Sequence, residues 1–232
     1  MINLKQNFIF CHNEKTAGTS INLELRQLPQ NYYIDTDMFE LVESDGHRIE
    51  LNPFDWHTGI HYRNMHTRMA TYDHILDLNN FWCFGFVRQP LTRYLSLYLQ
   101  QLKVVLDIPE IPDPRKILEV PHLLANVTPT ISKKLNIPEG KYEFSFDWFM
   151  RTYIPSAGGS QISQFCDTEK NVLLDFVGRY ENLNHDWEIV CDKLHIPHRP
   201  LLKINKTGSG VKDDLVELFY TKDLKEFVYD HY

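Results

Sequence analysis

Along the chain, short apolar runs alternate with apolar positions at helical spacing. Phe8-Ile9-Phe10-Cys11 is continuously apolar, a polar and glycine-containing stretch follows, and Ile21, Leu25 and Leu28 then recur at i, i+4, i+7. The pattern predicts strand, loop and helix in that order. A second unit repeats it: Phe81 to Val87 is apolar throughout, as a strand buried on both faces should be, and Arg88-Gln89 leads into Pro90. Proline suits a first helical position, and Leu91, Leu95, Tyr98 and Leu102 continue at i, i+4, i+7, i+11. A third strand is expected over Val172 to Val177, ending at Gly178-Arg179-Tyr180-Glu181 before a helix that turns Leu183, Trp187, Val190 and Leu194 inward. Strands alternating with helices predict an α/β fold with a mostly parallel central sheet covered on both faces.

Residues 103–143 break this grammar. They hold Pro109, Pro112, Pro114, Pro121, Pro129 and Pro138, half of the chain's 12 prolines, and read as an irregular insertion of the kind that often forms a binding loop. Phe146, Phe149, Met150 and Tyr153 then resume helical spacing as a core-facing stripe, and Thr221 is placed to cap a last helix carrying Leu224, Phe227 and Val228. At 232 residues the chain is expected to form a single domain over 1–232, with the proline-rich stretch inserted in it.

Composition narrows the classes. With 43% hydrophobic and 24% charged residues the chain is neither disordered nor fibrous. Its 24 basic residues against 31 acidic ones give a net charge of −7, which argues against nucleic acid as a partner, so an anionic ligand has to meet a local basic pocket. Cys11, Cys83, Cys166 and Cys191 lie far apart without a C-x-x-C pair, which fits a reducing compartment better than a disulfide scaffold or a zinc ribbon. The longest strongly apolar block, Phe81 to Val87, is far short of the roughly 20 residues of a transmembrane helix. Residues 1–11 are too short for a signal peptide and read as a first strand.

The loop His12-Asn13-Glu14-Lys15-Thr16-Ala17-Gly18-Thr19-Ser20 places one lysine, one glycine and three hydroxyls just before a helix. Backbone N–H groups, the helix dipole and a lysine together make an anion site there. A Walker A motif is absent, which disfavours an ordinary ATP- or GTP-dependent kinase. Arg88 sits at the end of the second strand, with Arg93 and Ser96 on the helix after it. Ligands of open α/β sheets bind outside the carboxyl ends of strands, so both turns should border one crevice, each holding one end of a doubly phosphorylated nucleotide. Arg93 is expected at a solvated helix position. His57, His61 and His66 have spacing near that of helical zinc ligands, but Gly59 weakens a helix and no H-E-x-x-H motif is present, so no metal site is assigned.

Residues 8–21, FIFCHNEKTAGTSI, resemble the 5′-phosphosulfate loop of sulfotransferases that use 3′-phosphoadenosine 5′-phosphosulfate (PAPS), particularly the carbohydrate-type family with an H-I-P-K-T-A-G-T-S signature. Residues 84–98, FGFVRQPLTRYLSLY, resemble its 3′-phosphate motif, and residues 175–194, DFVGRYENLNHDWEIVCDKL, a third block in which a strand ends in G-R-x-E-x-L. The three blocks occur in the family's order. Asn13-Glu14 stands where the family usually has Ile-Pro, Gln89 where it commonly has Asn, and the chain stops at Tyr232, a few residues before the family's usual terminal aromatic segment, as a trimmed end would.

The resemblance implies a P-loop-like three-layer fold and O-sulfation. Lys15, Thr16, Ala17, Gly18, Thr19 and Ser20 would hold the 5′-phosphosulfate, Arg88 and Ser96 the 3′-phosphate, and 3′-phosphoadenosine 5′-phosphate (PAP) would be the product. Lys15 would also stabilise charge on the leaving phosphate. The base would be a histidine, His57 or His61, with Glu14 a third possibility. The acceptor would be a saccharide or another hydroxylated small molecule, bound beneath residues 36–75 and 103–143, and the net charge of −7 makes a neutral or lightly charged glycan fit better than a heavily sulfated one. A non-catalytic PAP-binding protein of the same fold is the alternative. A cytoplasmic enzyme is expected, with a trimmed lumenal domain of a Golgi membrane protein as the other reading.

Overall fold

The computed structural model describes residues 1–28, 31–35, 40–43, 48–50, 68–111, 113–119, 124–129, 131–132, 139–156, 160–202 and 213–232. Among them the strands are β1 (Ile2–Asn3), β2 (Phe8–Cys11), β3 (Asn31–Asp35), β4 (Glu40–Glu43), β5 (Arg48–Glu50), β6 (Trp82–Val87), β7 (Leu124–Val127), β8 (Gly140–Glu143) and β9 (Phe176–Arg179). The main helices are α1 (Gly18–Leu25), α2 (Met69–Ile75), α3 (Pro90–Leu106), α4 (Leu183–Leu194), α5 (Asp213–Phe219) and α6 (Lys222–His231). The chain divides into two compact units, Met1–Arg88 with Gln161–Ile204, and Gln89–Ser160 with Asn205–Tyr232.

The first unit is built on a sheet of order β5-β4-β3-β1-β2-β6-β9. β2, β6 and β9 run parallel, as strand-helix alternation predicts. β1, β3, β4 and β5 extend the sheet in antiparallel pairings that the sequence pattern did not disclose. Side chains of β2 alternate between two cores. Phe8 and Phe10 join Phe84 and Phe86 of β6 against Ile21 and Leu25 of α1 and Trp187, Val190 and Leu194 of α4. Ile9 and Cys11 join Cys83 against Met69 and Tyr72 of α2 and Phe165. Helices thus cover both faces, and each fully buried side chain of this size contributes roughly 1.5–3 kcal/mol.

The third strand begins later than expected, at Phe176. Residues ahead of it are otherwise engaged: Val172 bridges to Cys166, Leu173 N–H donates to the Phe165 carbonyl at 2.8 Å, and the Asp175 carboxylate accepts the Cys83 N–H at 2.7 Å. Gly85 and Gly178 sit where rings cross the sheet, since a Cβ would stand 2.8 Å from Phe165 and 2.4 Å from Phe86 respectively. All four cysteines are buried free thiols. Burial pushes the Cys11 and Cys83 thiols up to about 12, so neither is a nucleophile near neutral pH.

In the second unit α3 starts as predicted, with Pro90 at its first position and the Gln89 side chain accepting the Thr92 N–H at 2.7 Å. Leu91, Leu95, Tyr98 and Leu102 are all buried. Tyr98 is the hub, its ring 5.1 Å from Phe146 and 5.4 Å from Phe149, its hydroxyl donating to the Phe144 carbonyl at 3.0 Å. The expected stripe Phe146, Phe149, Met150 and Tyr153 lies in this core, on a helical stretch over 146–156 that widens to a π turn at Phe149–Tyr153. Thr221 caps α6 through Leu224 N–H at 3.2 Å. Within the proline-rich stretch, Pro114–Glu119 turns as a 3-10 helix and β7 pairs antiparallel with β8. Among the described residues no helix is long and apolar enough to cross a membrane.

Candidate active site

The registers Cys11↔Gly85 and Val87↔Arg179 bring the carboxyl ends of β2, β6 and β9 to one edge of the first unit's sheet. After β2 the chain makes a tight loop before α1. Thr16 Oγ1 donates to the Asn13 carbonyl at 2.9 Å, closing the loop on itself. Lys15 at φ 66° and Ala17 at φ 67° are non-glycine residues in the left-handed region. Each costs roughly 1–2 kcal/mol relative to right-handed backbone. Such strain collects at ligand sites, because it persists only where the surroundings enforce it. The Ala17 carbonyl accepts the N–H groups of Ser20 and Ile21 at 2.9 and 3.1 Å, and Ala17 gives no side-chain cap. The first N–H groups of α1, at Gly18 and Thr19, have no partner within the helix and form the positive end of its dipole.

His12 locks this loop to α1. Its ring stacks on Phe10 with centroids 5.9 Å apart, and its Nδ1 lies 3.1 Å from Nδ2 of Asn22. A Cβ on Gly18 would stand 1.8 Å from His12 Cδ2, so only glycine fits beside the imidazole. Asn13 Nδ2 and Asn22 Oδ1 are buried and find no hydrogen-bond partner among the described residues. Lys15 is half-buried and Glu14 is exposed.

Arg88 leaves β6 at the same edge and is 7% exposed. Its Nη1 donates to the Lys15 carbonyl at 3.3 Å, and its guanidinium lies over the Tyr180 ring, 4.2 Å from the centroid. Its backbone N–H donates to Gln161 Oε1 at 2.8 Å, while its carbonyl accepts from Gln161 Nε2 at 2.7 Å. The strained loop, its lysine, the helix N-terminus and a buried arginine together suit a polyanion. Electrostatic stabilisation of charge that develops during group transfer needs just such fixed donors.

A sequence profile described as the Sulfotransferase family matches residues 1–232. The chain belongs to the sulfotransferase family. No curated protein matches it significantly. As a sulfotransferase, the chain is a transferase whose acceptor carries a hydroxyl.

Of the residues expected in the site of this sulfotransferase, the first unit brings together Lys15 through Ser20 and Arg88. Ser96 lies in the second unit, on α3, and is 2% exposed. Arg93, expected to be solvated, is instead 5% exposed, its guanidinium 4.9 Å from the centroid of the Tyr94 ring. The correction has a plain cause: ten of the 17 residues of α3 are buried, so its buried surface is far wider than the Leu91-Leu95-Tyr98-Leu102 stripe. His57, His61 and His66 lie outside the described residues, as do 36–39, 44–47, 51–67, 112, 120–123, 130 and 133–138 of the expected acceptor segments. No group of three or more His, Cys, Asp or Glu able to hold a metal occurs among the described residues. Sequence reasoning placed His12 in the loop without foreseeing its packing role, and missed Gln161 and Tyr180. Tyr180 had a readable signal, since it follows the third parallel strand where Arg88 follows the second; Gln161 had none, because its contact joins positions 73 residues apart.

Proposed function

We propose that the chain transfers a sulfuryl group from PAPS to an acceptor hydroxyl of a carbohydrate, using a P-loop-like phosphate loop and a histidine base. The observation that carries this reading is the strained Lys15–Ser20 loop at the N-terminus of α1, with Arg88 tied to its backbone. Lys15, Thr16, Ala17, Gly18, Thr19 and Ser20 hold the 5′-phosphosulfate, and Arg88 with Ser96 takes the 3′-phosphate. The donor set fits that ligand: one ammonium, the Thr19 and Ser20 hydroxyls and helix N–H groups for one anion, a guanidinium for the other, with the Thr16 hydroxyl engaged in closing the loop.

PAPS supplies the transferable sulfuryl group and a leaving phosphate. The chain's own residues do the rest. Sulfuryl transfer resembles in-line phosphoryl transfer, with negative charge growing on the leaving oxygen, and Lys15 with the N–H groups of α1 stabilises that charge. The base removes the acceptor's proton as the new bond forms. His57 takes this role, with His61 and then Glu14 as the other candidates. His57→Ala is expected to lower transfer by about 10²-fold or more while PAP affinity stays within about twofold; full activity in the variant would remove His57 from the mechanism. A net charge of −7 favours a neutral or lightly charged glycan over a densely sulfated polymer.

Calorimetric titration with PAP, with ATP and adenosine 5′-phosphosulfate as comparators, tests the reading without knowledge of the acceptor. Clear preference for PAP is expected. A folded sample that does not bind PAP would overturn it, and PAP binding without transfer to any acceptor would favour a non-catalytic nucleotide-binding protein, the reading that Glu14 beside the loop motivates.

A further inference from the structure

We propose that Tyr180 and Gln161 are positioning residues for Arg88, and that they set the chain's preference for a nucleotide bearing a 3′-phosphate. The inference rests on the proposed function, in which Arg88 receives that phosphate.

An arginine at the exit of a strand has a long side chain with several rotatable bonds, and ordering it on binding is costly. Here three distant parts of the chain order it in advance. β2 last pairs with β6 at Gly85, so the edge of β6 that β2 covers is open three residues later, at Arg88. Gln161 fills that place. Its amide makes the two hydrogen bonds that a neighbouring strand would make, one to the N–H and one to the carbonyl of Arg88. Gln161 is itself 8% exposed, so these bonds are shielded from water. The backbone direction at Arg88, and with it the direction in which the side chain departs, is thereby fixed.

Tyr180 fixes the other end. The guanidinium carbon lies 4.2 Å from the ring centroid, and the attraction of the ring for the cation opposes the side chain's swinging away from where it would meet phosphate oxygens in a fork. The turn that carries Tyr180 is itself held. The Asp186 carboxylate, 9% exposed, accepts the Arg179 N–H at 2.6 Å and the Asn182 amide at 2.8 Å, bracing the turn that carries Tyr180 from both sides. The contact from Arg88 Nη1 to the Lys15 carbonyl then ties the guanidinium to the loop. Two anion sites so connected keep a set spacing, and a ligand with phosphates at both ends is read by that spacing.

The test is calorimetric titration of the full chain with PAP and with adenosine 5′-phosphate, which lacks the 3′-phosphate, for the wild type, Tyr180→Phe, Tyr180→Leu and Gln161→Met. The ratio of the two affinities is the readout, since a merely structural role would weaken both nucleotides alike. Tyr180→Phe keeps the ring and is expected to keep the ratio within about twofold. Tyr180→Leu is expected to lose about tenfold in PAP affinity with little change for adenosine 5′-phosphate, and Gln161→Met to shift the ratio in the same direction. Should Tyr180→Leu fail to fold, Gln161→Met carries the test. A wild-type ratio in these variants, or an equal loss for both nucleotides, overturns the inference. A wild type that does not prefer PAP to adenosine 5′-phosphate overturns the proposed function instead, and the inference with it.

Discussion

Lys15→Ala is expected to lower sulfuryl transfer from PAPS by about 10²–10³-fold, the usual cost of removing one preorganised donor from developing charge. The backbone at this position tolerates the substitution. Lys15 sits at φ 66°, in the left-handed region, and alanine there carries the same Cβ and the same backbone cost. The contact that Arg88 makes with this residue goes to its carbonyl and survives the change. PAP affinity should fall too, by about tenfold, as a charge-assisted phosphate contact is lost. The measurement is PAP release from PAPS against a panel of saccharide acceptors, read beside a thermal melt. A variant that turns over at the wild-type rate would place the Lys15 ammonium outside the reaction path.

How much of this was legible in the chain depends on the range of the interaction involved. The cores of the parallel strands and the buried faces of α3 and α4 follow from local periodicity, and Leu91, Leu95, Tyr98, Trp187, Val190 and Leu194 are buried as their spacing predicts. The turn between β2 and α1 was legible as a candidate anion loop because it is contiguous, nine residues from His12 to Ser20. The antiparallel half of the sheet was not, since β3, β4 and β5 lie in a stretch whose apolar positions give no run as clear as Phe81 to Val87. The start of β9 was misplaced because periodicity cannot see that the Asp175 carboxylate takes the place of a strand partner at Cys83. Arg88 could be picked from its motif, but its contacts could not: the place of Tyr180 after the third parallel strand hints at its position only, and no local pattern encodes the reach of Gln161 across 73 residues.

Gly18→Ala separates what sequence rules predict from what the structure requires. Alanine is the better helix former by roughly 1 kcal/mol, and Gly18 opens α1 with an ordinary φ, so propensity alone predicts a gain. Space decides otherwise. The new Cβ would meet His12 Cδ2 at 1.8 Å and Nε2 at 2.0 Å, and the imidazole has nowhere to retreat, since it stacks on Phe10 and is joined to Asn22. Moving it disrupts that hydrogen bond and overpacks the junction of loop and helix, at a net cost of about 1–3 kcal/mol. For a chain of this length each kcal/mol lowers the melting temperature by about 2–4 °C. PAP binding should be lost along with it, because the strained turn at Lys15 and Ala17 sits between the two residues forced apart. The cause is checked by a second change: His12→Ala removes the obstacle, so His12→Ala combined with Gly18→Ala should be more stable than the sum of the single effects by about 1 kcal/mol or more. Strict additivity in that cycle would mean the glycine is needed for something other than room for the imidazole.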